Sequence, residues 1–267
     1  MMTAQEPIPT SPAGTHFGPE GLLYCDVCGG KRQIQLPLIP PRIVACSCAC
    51  MTAQQNRLAQ ERKRQEEMDR ISRNRSAATK DRRFLQETFA ASEYDTRGLR
   101  IARRYADQWP QSLGLVFWGP PGTGKTYAAN CIANALLDRD VPVLVTSLGK
   151  MLGALPAVHS GNQTAAIADW MRYPLLVLDD LGVERETPYA MEQVYNIIDA
   201  RYRDGKPMII TTNLDMKQME AQDSIPWQRI YRRILECCTP VKMDEINIRD
   251  CRTKENRSAA KNQLTDP

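Results

Sequence analysis

Short apolar runs alternate with amphipathic segments along most of the chain. Four runs are strand-like, and they lie at 113–118, 141–146, 175–178 and 208–212. Such short and nearly continuous apolar runs are typical of strands buried on both faces of a parallel sheet. The intervening helical candidates lie at 125–138, 163–172, 188–204 and 226–236. The alternation predicts an α/β domain in which a parallel sheet lies between helices.

A glycine-rich turn separates the first of these strands from the first helix. It reads Gly-Pro-Pro-Gly-Thr-Gly-Lys-Thr and fits the pattern G-x-x-x-x-G-K-[ST] without a mismatch. Its backbone N–H groups and the start of the following helix suit a phosphate, Lys125 suits the β- and γ-phosphates, and the Thr126 hydroxyl suits Mg²⁺. The turn therefore predicts a nucleoside triphosphate site. Its residues are Gly119, Pro120, Pro121, Gly122, Thr123, Gly124, Lys125, Thr126 and Tyr127.

Polar side chains end two of the later strands. Asp179 and Asp180 directly follow the third strand, and a nucleotide site with Mg²⁺ needs a carboxylate at such a position. We expect Asp179 and Thr126 to hold the magnesium ion. Asp180, or alternatively Glu184, then orients the attacking water. Asn213 follows the fourth strand, where its amide either contacts the γ-phosphate or only turns the chain.

Five of the nine cysteines lie within one short window. Cys25 and Cys28 form a C-x₂-C knuckle, and Cys46, Cys48 and Cys50 form a C-x-C-x-C run. Because the N-terminus lacks the pattern of a secretion signal, this cluster predicts a metal site before it predicts disulfides. We expect Zn²⁺ on Cys25, Cys28, Cys46 and Cys48, with Cys50 as the spare. An iron–sulfur cluster and reactive thiols in an unstructured tail are the alternatives.

Composition excludes some classes of protein and adds a basic segment. No apolar run approaches the ~18 residues of a membrane span, so we expect a cytoplasmic protein without a membrane partner. Aromatic residues make up 6% of the chain, which argues against a sheet that stacks RNA bases. Ten basic and five acidic side chains fall within 51–83, with few apolar positions. This pattern predicts a solvated helix that is either a spacer or a contact to DNA.

These patterns divide the chain into five segments. The first residues are rich in Pro, Gly, Thr and Ser, and the last are polar, so both ends are expected to lack a core. The predicted segments are a disordered tail at 1–20, a zinc-binding module at 21–50, a charged helical connector at 51–83, the nucleotide-binding domain at 84–249 and a polar tail at 250–267.

The predicted nucleotide-binding domain resembles the AAA+ ATPases, and more narrowly the DnaC/IstB-like group of helicase loaders and transposition helpers. The phosphate loop alone is generic, whereas the other marks together are narrow. The marks are Phe117-Trp-Gly-Pro-Pro-Gly-Thr-Gly-Lys-Thr126, Leu176-Val-Leu-Asp-Asp-Leu-Gly182, Tyr195-Asn-Ile-Ile-Asp-Ala-Arg-Tyr202, Lys206-Pro-Met-Ile-Ile-Thr-Thr-Asn213 and Arg229-Ile-Tyr-Arg-Arg-Ile-Leu235.

The resemblance implies roles for several residues. It makes ATP with Mg²⁺ the ligand and Asn213 the sensor 1 residue. Arg233 becomes the arginine finger that acts on a neighbouring copy, with Arg229 as the alternative. The choice stays open because Arg232 stands where the group often has Ser or Asp. Many AAA+ members carry Asp-Glu at the metal strand, so the Asp-Asp pair here implies slow hydrolysis.

The order of the segments is similar to that of loaders resembling DnaI, which carry an N-terminal zinc-binding module. This likeness implies an ATPase that binds the replicative DNA helicase, assembles as a homo-oligomer through the ATP site and delivers the helicase onto single-stranded DNA. A transposition helper that acts on duplex DNA with a transposase is one alternative. A nucleotide-switched adaptor with little hydrolysis is another. In a further alternative the zinc module itself contacts DNA.

Overall fold

The computed structural model describes residues 12–81, 83–155, 163–182, 187–221, 224–251, 253–254 and 257. The chain divides into two compact units, a first unit at Met1–Met68 and a second unit at Asp69–Pro267. The division lies inside a helix, whereas the nucleotide-binding domain predicted from the sequence starts at residue 84. Arg70 and Asn74 of this helix fall in the second unit, where they bond to Asp140.

The first unit contains two small antiparallel hairpins. Strands β1 (Thr15–Phe17) and β2 (Leu23–Cys25) form one, and strands β3 (Gln33–Leu36) and β4 (Arg42–Ala45) form the other. Strand β1 lies within residues 1–20, the segment expected to be disordered. It forms because its backbone pairs with that of β2. Among the described residues of this unit, the buried apolar side chains are Leu22, Cys25 and Cys48. So few side chains do not make a hydrophobic core.

Helix α1 (Ala49–Ala78) begins close to the predicted start of the connector and ends before its predicted end at residue 83. Its sequence lacks Pro and Gly and is rich in good helix formers. Within α1 the one buried residue is Ala78. The helix therefore presents polar side chains on all faces rather than an apolar stripe.

The second unit is built on a five-stranded sheet in the order β6-β7-β8-β5-β9, and every neighbouring pair is parallel. The prediction of a parallel α/β sheet is confirmed. Edge strand β9 was not predicted, because Pro240 and Lys242 interrupt its apolar pattern; an edge position tolerates proline. The strands are β5 (Gly114–Trp118), β6 (Val143–Ser147), β7 (Leu175–Leu181), β8 (Met208–Thr212) and β9 (Cys238–Lys242).

Helices cover both faces of this sheet. Successive residues of a strand enter opposite cores, as Ile209 and Ile210 of β8 do. The helices are α2 (Arg97–Asp107), α3 (Lys125–Leu137), α4 (Leu148–Ala154), α5 (Gln163–Met171), α6 (Pro188–Arg203), α7 (Met216–Glu220) and α8 (Ile225–Cys237), preceded by a 3₁₀ turn at Arg83–Gln86. None of the described helices combines the length and the apolar character that crossing a membrane requires.

The topology determines where the predicted site residues lie. Strand β8 lies between β7 and β5, and all three run in the same direction. Their carboxyl ends therefore meet at one edge of the sheet, which is where ligands bind in open α/β sheets.

Candidate functional site

The loop between β5 and α3 depends on glycine at two positions. Gly122 and Gly124 have φ angles of 85° and 90°, which residues with a Cβ rarely adopt. At Gly122 a Cβ would also lie 2.4 Å from Oδ1 of Asn247. Gly124 is the N-cap of α3. The first N–H groups of α3 have no partner within the helix, so this turn is suited to bind an anion.

Lys125 lies in this turn and is almost completely buried. Its Nζ donates to the carbonyl oxygens of Gly119 at 2.8 Å and Pro120 at 2.7 Å. Burial lowers the pKa of Lys125, and the negative charges of Asp180 and Asp179 oppose this shift. The ammonium group is thus held by neutral carbonyls of the loop itself, and phosphate oxygens are stronger acceptors for it.

Thr126, Asp179, Asp180 and Asn213 lie together at the same edge. The Thr126 hydroxyl donates to Oδ1 of Asp179 at 2.8 Å, and Nδ2 of Asn213 lies 3.4 Å from Oδ1 of Asp180. The hydroxyl and carboxylate oxygens of Thr126 and Asp179 fit Mg²⁺, which prefers oxygen ligands and retains several waters. Glu184, the alternative to Asp180, lies outside the described residues.

A cavity of about 480 Å³ opens over this edge, within the range of small-molecule sites. It is also lined by residues that the sequence analysis did not select, namely Glu87, Ser92, Glu93, Tyr94, Ile248, Arg249 and Thr253. Thr253 falls in the predicted polar tail. The backbone N–H of Arg249 donates to the Gly122 carbonyl at 3.2 Å, which fastens this segment to the phosphate loop. No periodic pattern marks these residues, because tertiary packing alone brings them to the loop.

The predicted arginine finger lies elsewhere. The Arg233 guanidinium forms an ion pair with Asp199 and lies over the rings of Tyr195, at 4.5 Å, and Tyr202, at 5.7 Å. Arg229 is exposed on the same helix α8. Neither arginine is among the described residues that line the cavity of its own chain.

Four cysteines of the first unit come together. The sulfur atoms of Cys25, Cys28, Cys48 and Cys50 all lie within 4.8 Å of one another. Cys46 is not part of this group, since its sulfur donates to the Lys31 carbonyl at 3.2 Å. The predicted set is therefore corrected, with Cys50 in place of Cys46. Helix α1 starts at Ala49 and includes Cys50, and a spacing of single residues does not reveal where such a helix begins.

The cluster has the dimensions of a single-ion site. Tetrahedral zinc–sulfur bonds of about 2.3 Å place neighbouring sulfurs about 3.8 Å apart, and the Cys48 and Cys25 sulfurs lie 3.3 and 3.4 Å from that of Cys50. This spacing leaves no room for a multi-iron cluster between the sulfurs. Backbone N–H groups of Cys28 and Val27 lower the pKa of Cys25 to about 6, which favours the thiolate that a metal requires. The hydrogen bond with the Cys48 thiol raises the pKa of Cys50 to about 12, so without a metal the thiols of the cluster share protons.

Comparison with known proteins places the chain in a family. Residues 49–259 match the family described as IstB-like ATP binding protein. The chain belongs to this family. The match covers most of the second unit, so this IstB-like protein has an ATP-binding domain, and the resemblance drawn from its motifs is confirmed.

Two curated relatives differ in their named roles. The replicative helicase loader DnaC of Escherichia coli (strain K12) is 30% identical over 131 residues, which are 48% of this chain and 54% of DnaC. A Mycobacterium tuberculosis (strain H37Rv) protein, named for ATP binding in an insertion sequence, is 28% identical over 156 residues, 54% of this chain and 62% of that protein. The IstB-like chain thus spans about half the length of its DnaC relatives.

Solved structures agree on the fold. The crystal structure of DnaI has a TM-score of 0.53 and 24% identity, and covers 61% of this chain and 94% of its own. The crystal structure of the DnaC helicase loader has a TM-score of 0.53 and 23% identity, and covers 61% of this chain and all of its own. The P-loop AAA+ fold of the IstB-like domain is therefore established, whereas the roles of its individual residues remain predictions.

Proposed function

We propose that this protein is a Mg²⁺-dependent ATPase that binds the replicative DNA helicase and delivers it onto single-stranded DNA. The observation that carries the proposal is the convergence of Lys125, Thr126, Asp179, Asp180 and Asn213 at one edge of the sheet, beside a cavity large enough for a nucleotide. Similarity to the named helicase loader DnaC supports the choice of partner.

The geometry suggests how each residue acts on ATP. Lys125 exchanges its carbonyl partners for the β- and γ-phosphates, and Thr126 and Asp179 hold Mg²⁺. The magnesium ion, when bound, neutralises charge on the β- and γ-phosphate oxygens. Asp180 accepts a hydrogen bond from the attacking water, while Asn213 contacts the γ-phosphate.

Two features of Asp180 bear on the rate. Its backbone has φ 63°, which costs of order 1–3 kcal/mol for a residue with a Cβ. Its side chain is one methylene shorter than the Glu of many AAA+ members. Asn213 lies within hydrogen-bonding reach of Asp180, with Nδ2 at 3.4 Å from its Oδ1, and limits its freedom. We infer slow hydrolysis from this short and restrained carboxylate.

A second copy of the chain is part of the proposal. Arg229 and Arg233 lie away from the cavity of their own chain, so neither can stabilise the transition state there. An arginine supplied by a neighbouring copy does so in related enzymes. We propose a homo-oligomer in which Arg233, or alternatively Arg229, completes the adjacent site.

The cysteine cluster is proposed to hold Zn²⁺ on Cys25, Cys28, Cys48 and Cys50. Metal binding replaces the hydrophobic core that the described residues of the first unit do not form. A module folded in this way offers the helicase a defined surface. A contact of this module with DNA is the alternative, and so is a contact of α1 with DNA.

Retention of the replicative helicase of the same organism by the immobilised full chain tests the proposal. We expect the chain with a non-hydrolysable ATP analogue to retain the helicase, and Cys25→Ser with Cys28→Ser to lose it. Cys46→Ser is the matched control, because Cys46 lies outside the cluster. ATP turnover is measured in parallel, with Lys125→Ala as the inactive reference. Failure of the unaltered chain to retain helicase contradicts the loader role even when ATP turnover is present.

The relative from a mycobacterial insertion sequence favours a second candidate, a transposition helper. This function requires tight binding of duplex DNA in the presence of ATP and contact with a transposase. If the full chain binds duplex DNA and retains no helicase, the transposition helper is favoured over the helicase loader.

A further inference from the structure

The pairing of β7 with β8 is irregular at the acidic end of β7. Leu178 pairs with Ile210 and Leu181 pairs with Thr212. Two residues of β7, Asp179 and Asp180, therefore stand opposite the single residue Thr211 of β8. This arrangement is a β-bulge, and bulges beside active sites re-aim side chains.

Thr211 bonds to both acids across this bulge. Its hydroxyl accepts a hydrogen bond from the Asp180 backbone N–H at 2.9 Å and donates one to Oδ1 of Asp179 at 2.6 Å. A hydroxyl can do both at once. The first bond replaces the ladder partner that a bulge removes and holds Asp180 in its left-handed conformation. The second fixes the direction of the Asp179 carboxylate.

The position of Thr211 separates it from the nucleotide contacts. It is 1% exposed, and it is not among the described residues that line the cavity. Thr126 donates to the same oxygen of Asp179, but Thr126 is itself a proposed magnesium ligand. Among the described residues that donate to Asp179, Thr211 is then the one that is neither assigned to the metal nor part of the cavity lining.

We propose that Thr211 is a positioning residue that aims Asp179 at the magnesium ion and holds Asp180 in place. This inference rests on the proposed function and goes beyond it, because it assigns the geometry of the acid pair to a buried hydroxyl on the neighbouring strand. Serine preserves both hydrogen bonds. Valine has nearly the same shape and preserves neither.

The chain supplies a matched control in the next residue. Thr212 is also buried, donates to the Leu181 carbonyl at 2.7 Å and accepts from the Leu214 N–H at 3.1 Å. It has the same residue type and the same two-bond pattern on the same strand, and its hydroxyl bonds to neither acid. Replacing it with valine therefore reproduces the loss of a buried hydroxyl without disturbing Asp179.

The test uses the full chain as wild type, Thr211→Val, Thr211→Ser and Thr212→Val. Mn²⁺ replaces Mg²⁺ as the probe, and its binding is followed by electron paramagnetic resonance with a non-hydrolysable ATP analogue present. We expect Thr211→Val to weaken Mn²⁺ binding by roughly tenfold or more, as loss of an outer-shell partner does. In EDTA, which removes the metal, we expect Thr211→Val to bind the ATP analogue as tightly as the wild type does. Thr211→Ser restores metal binding, and Thr212→Val leaves it at the wild-type value.

Equal Mn²⁺ affinity in Thr211→Val and the wild type, or equal weakening in Thr211→Val and Thr212→Val, overturns the inference and leaves the proposed function intact. If the wild type does not bind the ATP analogue, both the inference on Thr211 and the proposed function are wrong. Thermal melting shows whether each variant folds. Should Thr211→Val not fold, Thr211→Ala removes the same hydroxyl with less bulk and must show the same loss of metal binding.

Discussion

The two units of this chain are stabilised in different ways. In the second unit, apolar side chains of the sheet enter a core on each face, and helices cover both. In the first unit, the described residues bury few apolar side chains, and four thiols lie together, two of them on buried cysteines. Burial of apolar surface is sufficient for a large unit, whereas a small one needs a metal or another cross-link.

This difference has a consequence for cooperativity. A unit that depends on a metal loses its fold when the metal leaves, because no preformed site exists in the unfolded chain. The described residues of the second unit hold no comparable cluster of thiols, so zinc and nucleotide are expected to act on separate units. When zinc is removed from the first unit or nucleotide is added to the second, the stability of the other unit therefore serves as the control.

Removal of zinc is expected to have the largest effect. Structural zinc sites contribute about 10–16 kcal/mol of apparent binding energy, so a chelator should abolish protection of the first unit while the β5–β9 sheet stays protected. Hydrogen exchange measured by mass spectrometry reports both. Cys50→Ser should reproduce the effect, and Cys46→Ser should not. Loss of zinc from Cys46→Ser with zinc retained in Cys50→Ser contradicts the corrected ligand set.

The second largest effect is expected from Arg229 and Arg233 of α8, which lie away from the nucleotide cavity of their own chain. Loss of an arginine finger lowers turnover by roughly 10³-fold or more, and we expect this for Arg233→Ala or Arg229→Ala. Mixing the affected variant with Lys125→Ala should restore part of the ATP turnover, because each copy supplies what the other lacks. Absence of restoration in both mixtures argues against sites shared between copies.

Nucleotide binding should stabilise the second unit alone. An ATP analogue at about 100 times its dissociation constant stabilises a folded unit by about 2.7 kcal/mol. We expect a rise in the unfolding temperature of the second unit, no change in zinc retention and no rise for Lys125→Ala. A comparable rise in Lys125→Ala would show that the analogue binds somewhere other than the phosphate loop.

The sequence predicts those parts of the site that follow directly from a strand. The phosphate loop, Asp179, Asp180 and Asn213 each end an apolar run, and a parallel sheet necessarily brings such ends together. Local pattern and topology are sufficient there. The α/β fold class follows from the alternation of apolar runs and amphipathic segments, and the parallel sheet confirms it.

Other parts depend on contacts between distant segments, and the sequence does not reveal them. Arg249 reaches the phosphate loop only because the segment after β9 packs on Gly122. Strand β9 is not predicted from the sequence because Pro240 interrupts its apolar pattern. The exchange of Cys46 for Cys50 depends on where α1 begins, since two pairs of cysteines, Cys46 with Cys48 and Cys48 with Cys50, have the same spacing. The proposed positioning role of Thr211 depends on a bulge, which leaves no mark in the pattern of the strand.

The smallest expected effect concerns the boundary between the two units within α1. Asp140 binds Arg70 and Asn74 of that helix, and Asp138 binds Arg75. Asp140 has φ 60°, a conformation that Asn also tolerates. Asp140→Asn thus keeps the turn and removes its charge, and a partly exposed ion pair contributes about 0–1 kcal/mol. We expect global stability to change by no more than this, while hydrogen exchange accelerates over 69–78 and stays the same over 49–68. Acceleration along the whole of α1 would instead mean that the helix unfolds as one piece and that the boundary between the units does not lie within it.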